Sequence, residues 1–126
     1  MIPTRWRTLF EDHVADATQR LTQAERLLTE GEGGRALQGA YQAVVTAATV
    51  RVWLVDHPWK SPLPAAEMLR RVQTAFPNMF GALASLDLKD VLTSPWAPDA
   101  AAPYVKEARV FVDQTADRLR AWLAAS

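Results

Sequence analysis

Residues 36–54, ALQGAYQAVVTAATVRVWL, decide the fold, for they hold no proline, no aspartate or glutamate and one glycine. Gln38, Gln42, Thr46 and Thr49 recur at about one helical turn, which predicts a helix with one thin polar stripe and an apolar remainder. Such a helix is buried on most sides. At about 1.5 Å per residue it runs about 28 Å, the height of a small helical bundle. Ala36, Gly39, Ala40, Ala43, Ala47 and Ala48 let neighbouring helices approach closely, and Tyr41, Val44, Val45, Val52 and Trp53 supply volume to pack against.

On the N-terminal side, residues 4–29 carry Phe10, Val14, Ala17, Leu21, Ala24 and Leu28 at alternating spacings of four and three, the pattern of one helical face. Asp16 with Arg20 and Arg26 with Glu30 fall four apart and predict solvated pairs worth about a few tenths of a kcal/mol each. GEGG at 31–34 ends this helix, since glycine accepts the left-handed conformation found after helix C-termini. So short a connection makes the second helix antiparallel to the first.

On the C-terminal side, Pro58, Pro62 and Pro64 forbid continued helix. Ser61 then caps a third helix over 63–76, stopped by Pro77, and Asn78 caps a short one carrying Met79, Phe80, Leu83 and Leu86. Residues 87–103, DLKDVLTSPWAPDAAAP, read as an irregular segment, either a functional lid or a packed wrap. The last helix is expected over 104–124, with Val105, Ala108, Val112, Ala116, Leu119 and Leu123 inward. The sum is an all-α, single-domain chain over 1–126: an antiparallel four-helix bundle with one short extra helix before the last helix.

Composition narrows the function. With 126 residues, 49% hydrophobic and 22% charged, the chain has the make-up of an ordinary globular domain. Net charge is zero and the pI is near 6.7, so no overall basic field holds nucleic acid. There is no cysteine, hence no disulfide, thiol nucleophile or thiolate metal site. Neither a secretory h-region nor an 18-residue apolar run occurs, and the chain reads as cytoplasmic with no membrane association.

The chemical inventory is thin. Neither His13 nor His57 has a glutamate three residues before it, which excludes the di-iron bundle pattern, and no metal site or cofactor motif is read. His13, beside Asp12 and one turn before Asp16, reads as a surface histidine paired with a carboxylate. Trp53 and Trp122 read as core, Trp59 and Trp96 as covers for the bundle end, and Trp6 as a candidate subunit contact.

Leu27, Leu28 and Gly31, followed by Ala36, Ala40, Tyr41, Ala43, Ala47 and Ala48, form a pattern that resembles the HEPN domain family. The stretch with Pro95, Trp96, Pro98 and Asp99 is similar to the proline-and-aspartate segment before the last helix in that family. The resemblance implies a homodimeric bundle that partners a minimal nucleotidyltransferase, as in toxin–antitoxin systems, with a nucleotide as a further candidate ligand. Some members of the family are metal-independent ribonucleases, in which an arginine and a histidine separated by four to six residues at the start of the final helix face a second pair across the dimer. Here the last helix has no histidine. The spacing occurs instead at Arg51 and His57, at the end of the second helix, where the bland reading is a snorkelling arginine and a turn histidine. A glutamate and a lysine frequent in the second helix of partner-type members are replaced by Val45 and Thr49.

Three functions follow. The first is a noncatalytic HEPN-like homodimer that binds a protein partner. The second is a ribonuclease cleaving RNA with Arg51 and His57 as its catalytic pair. The third is an unrelated helical interaction or ligand-binding module.

Overall fold

The first helix, α1 (Thr4–Thr29), starts behind Pro3, whose carbonyl accepts the backbone N–H groups of Trp6 and Arg7. It stops where a residue takes the left-handed conformation: Gly31 has φ 84°. The Gly31 N–H bonds to the Leu28 carbonyl at 3.1 Å and the Glu32 N–H to the Leu27 carbonyl at 2.9 Å, which closes carbonyls that the helix end leaves open. Gly33 and Gly34 do not extend this stop; they open α2 (Gly33–Asp56). These come from a computed structural model that describes residues 3–56, 67, 70, 71, 88–93 and 95–125. All regular structure among them is helical.

α2 is buried as its composition demands. Ala36, Leu37, Ala40, Ala43, Val44, Ala47, Ala48, Val50, Val52 and Trp53 are in the core, whereas Gln38, Gln42, Thr46 and Thr49 lie along its more open side. Close approach to α1 follows from small residues. A Cβ on Gly39 would lie 3.3 Å from the Ala24 Cβ. With Arg20 bonded to Gln42 at 3.0 Å, this sets α1 and α2 antiparallel.

The segment 87–103 is not the irregular stretch expected. Residues Leu88–Thr93 form a short helix, α3, and the last helix, α4 (Pro98–Ala125), begins six residues before Tyr104. Pro98 stands at the first helical position, where its missing N–H costs nothing, and Asp99 in the first turn suits the helix dipole. The Ala97 carbonyl accepts from Ala100 and Ala101. Pro103 sits inside the helix on its exposed side.

α4 packs against both α1 and α2. Glu25 and Thr22 of α1 hold Arg109, and Phe10 of α1 meets Trp122 with ring centroids 5.7 Å apart, so α4 runs antiparallel to α1 and parallel to α2. Its buried face includes Phe111 and Thr115 beside the expected Val105, Ala108, Val112 and Leu119; Ala116 and Leu123 are only half-buried. On α1, Leu27 is buried more deeply than Leu28. The Asp16–Arg20 pair forms at 2.8 Å. Arg26 and Glu30 form no ion pair; the Glu30 backbone N–H bonds to the Arg26 carbonyl instead.

The helices expected over 63–76 and from Asn78 fall outside the described residues, apart from Glu67, Arg70 and Arg71. These three are helical, and both arginines bond to the Glu67 carboxylate.

Candidate functional site

Arg51 is the first residue to place, because the sequence singles it out. It does not snorkel. Its side chain is 1% exposed, inside the core between α2 and α4. Nε donates to Thr115 Oγ1 at 2.8 Å, Nη2 reaches the Phe111 carbonyl at 3.4 Å, and the guanidinium lies 4.7 Å from the Phe111 ring centroid. Burial, and after it the positive charge of Arg118, lowers its pKa to about 10. It remains a cation at neutral pH, held by groups of its own subunit. His57, the other half of the suggested pair, lies outside the described residues.

His13 is not paired with a carboxylate. Its Nδ1 lies 3.0 Å from the Leu9 carbonyl. A carbonyl only accepts, so Nδ1 carries the hydrogen and the neutral ring keeps Nε2 as an acceptor. The imidazole stands edge-on to Trp53 at 4.8 Å. Trp53 in turn stacks on Phe10 at 5.5 Å and meets Trp6 edge-on at 5.7 Å. Trp6 thus packs into the aromatic cluster of its own chain, where Trp53 is core as its position within a helix predicts, while Trp122, expected in the core, is only half-buried against it. Trp96 packs edge-on against Tyr104, 5.9 Å away, consistent with a covering role.

Among the described residues an open polar trough runs along the α1–α2 seam. One hollow of about 450 Å³ is walled by Asp16, Gln19, Arg20, Gln23, Arg35, Gln38 and Gln42, with Leu27 and Gly39 behind them. A second of about 380 Å³ is walled by Leu9, Asp12, His13, Asp16, Val45, Thr46 and Thr49. Asp16 borders both, and the two lie in line along the seam. The trough runs beside the polar stripe of α2, and it gathers Val45 and Thr49, the two positions that depart from the partner-type pattern. The hydroxyls of Thr46 and Thr49 donate to the Gln42 and Val45 carbonyls, both at 2.9 Å, so neither is aimed at His13 as a nucleophile.

Reversible polar recognition is what such walls can do. Among the described residues no group of three or more histidines or carboxylates is placed to hold a metal ion, and no helix there is long and apolar enough to cross a membrane. Sequence reasoning did not foresee two residues of consequence. Thr115, which receives Arg51, had no signal of its own beyond lying one turn after Phe111. Arg35, at the end of the trough, was concealed in the glycine-rich connection. The chain matches no known family when compared with protein-family models, and it matches none of the curated proteins or solved structures.

Proposed function

We propose that this chain is a noncatalytic helical-bundle interaction module of the HEPN kind, an antiparallel four-helix bundle with one short extra helix that homodimerises and binds a protein partner, with a nucleotidyltransferase as the partner class. The carrying observation is the state of Arg51. A guanidinium that is 1% exposed and bonded to Thr115 and Phe111 is part of the core, and a phosphodiester would have to unpack α2 from α4 to reach it. That favours a binding function over the ribonuclease reading, in which Arg51 would face a second subunit. Support for a fourth, returning helix comes from α2 and α4 running parallel, so that one ends and the other begins at opposite ends of the bundle. A nucleotide as a further ligand and a cytoplasmic setting complete the reading.

The test is sedimentation equilibrium followed by incubation with RNA in chelator. The proposal expects a dimer and no cleavage above the level of the His57→Ala variant. Chelator-resistant cleavage that His57→Ala abolishes would replace the binding function with the ribonuclease one. A monomer at tens of micromolar would remove the dimer and with it the family reading.

A further inference from the structure

We infer that the α1–α2 trough is the surface through which two copies of this chain associate, with Asp12 of each copy meeting Arg35 of the other. This rests on the dimer reading above and adds to it a location and a pair of contacts.

The argument starts from levels along the seam. The Arg20–Gln42 hydrogen bond and the Gly39–Ala24 approach place those residues at matching heights on the two antiparallel helices. Asp12 precedes Arg20 by eight residues on α1, about 12 Å toward one end of the trough. Arg35 precedes Gln42 by seven on α2, about 10 Å toward the other. Both are exposed, and neither has an ion-pair partner among the described residues. A two-fold axis crossing the seam at the level of Arg20 and Gln42, in the plane of the trough and inclined to the helices, therefore brings Asp12 of one copy over Arg35 of the other, twice. Closed two-fold dimers need this kind of self-complementary patch.

The walls between those ends fit the same operation. Gln19, Gln23 and Gln38 make no side-chain hydrogen bond among the described residues, and a primary amide both donates and accepts. A row of amides can pair with its own copy, which a row of lysines or aspartates cannot. Asp16 and Arg20 neutralise each other near the axis and add no net repulsion where like residues meet. α1 of each copy crosses the other's seam, seating side-chain ridges in the trough.

Sedimentation equilibrium of Asp12→Arg, Arg35→Asp and the double exchange tests this. Each single reversal sets like charges opposite one another and should weaken self-association by about tenfold or more, while the exchange should restore it. Helical circular dichroism checks that the exposed substitutions leave the fold intact. A wild-type dimer indifferent to both single reversals, or an exchange that restores nothing, would overturn this surface and leave the dimer standing elsewhere. A wild-type monomer would overturn the dimer reading itself.

Discussion

Arg51 Nε donates to Thr115 Oγ1 at 2.8 Å inside the core, and Thr115 passes the bond on, its hydroxyl donating to the Phe111 carbonyl at 2.8 Å. A cation, a hydroxyl and a backbone acceptor are thus joined across the α2–α4 contact. The threonine satisfies its own donor without the arginine. This decides how replacements of Arg51 behave.

Arg51→Ala leaves a cavity between α2 and α4 and should cost about 3 kcal/mol in urea unfolding. Arg51→Met fills most of the space, removes the buried charge and leaves Thr115 bonded to Phe111; it should cost less than about 1.5 kcal/mol. Equal losses for the two variants would show that the charge, rather than the volume, is what the core needs.

The same residue gives a pH dependence with a definite sign. Folding lowers the Arg51 pKa to about 10, below its ordinary value. Above about pH 10 the unfolded chain holds a proton that the folded chain has released, so this position adds stability as pH rises. Wild type should therefore gain on Arg51→Met between about pH 9 and about pH 11.5, measured as the difference of two unfolding curves. A difference that stays flat or falls would contradict it.

Three neighbouring glycines should respond differently to alanine. Gly31, with positive φ and open space around it, loses about 1 kcal/mol from backbone strain alone. A Cβ on Gly33 would stand 2.3 Å from the Trp96 carbonyl oxygen, forcing α2 away from residues 96 and 97 at about 1–3 kcal/mol. Gly34 has nothing within 4 Å, and its replacement should be neutral or gain a few tenths of a kcal/mol. Unfolding midpoints rank them directly.

Pro103 denies α4 one backbone hydrogen bond, to the Asp99 carbonyl, on the exposed side of the helix. Pro103→Ala should raise stability by about 1–2 kcal/mol, the helix-interior penalty of proline less the freedom restored to the unfolded chain. A fall in melting temperature would mean that the ring itself is a packing element.

Arg109 clasps α4 to α1 through Glu25 and Thr22, with Asp113 one turn on. The Glu25 carboxylate, bonded to it, raises its pKa above the ordinary value. The pair is partly open to solvent, so Arg109→Ala should cost only about 1 kcal/mol. Much of that difference should vanish in 1 M salt, where the screening length is about 3 Å.

The first two helices were legible because small and large apolar residues recur at helical spacing and Gly31 punctuates them. The start of α4 was not. Pro95, Pro98 and Pro103 all read as breakers, whereas one opens the helix, where proline is at home, and another is tolerated on an exposed side. Arg51 carried a readable signal that its charge concealed. It lies two residues, about 200° of helix, beyond Thr49, which turns it away from the polar stripe and into the core. The trough was half legible: the stripe gave its α2 wall, but the α1 wall depends on which flank of the first helix turns outward, and that is fixed by α4.

The tight link through Glu30, Gly31 and Glu32 also sets an order in time. α1 and α2 can pair after closing a loop of only these residues, while the Arg51–Thr115 and Arg109–Glu25 contacts join positions 64 and 84 apart and wait for the rest of the chain. During synthesis a ribosome still holding α4 has already released a helical hairpin, with Ala108, Phe111 and Val112 not yet there to cover it. The interval before α4 docks is when this protein is most exposed to aggregation, and substitutions that slow the docking should reduce yield more than they reduce final stability.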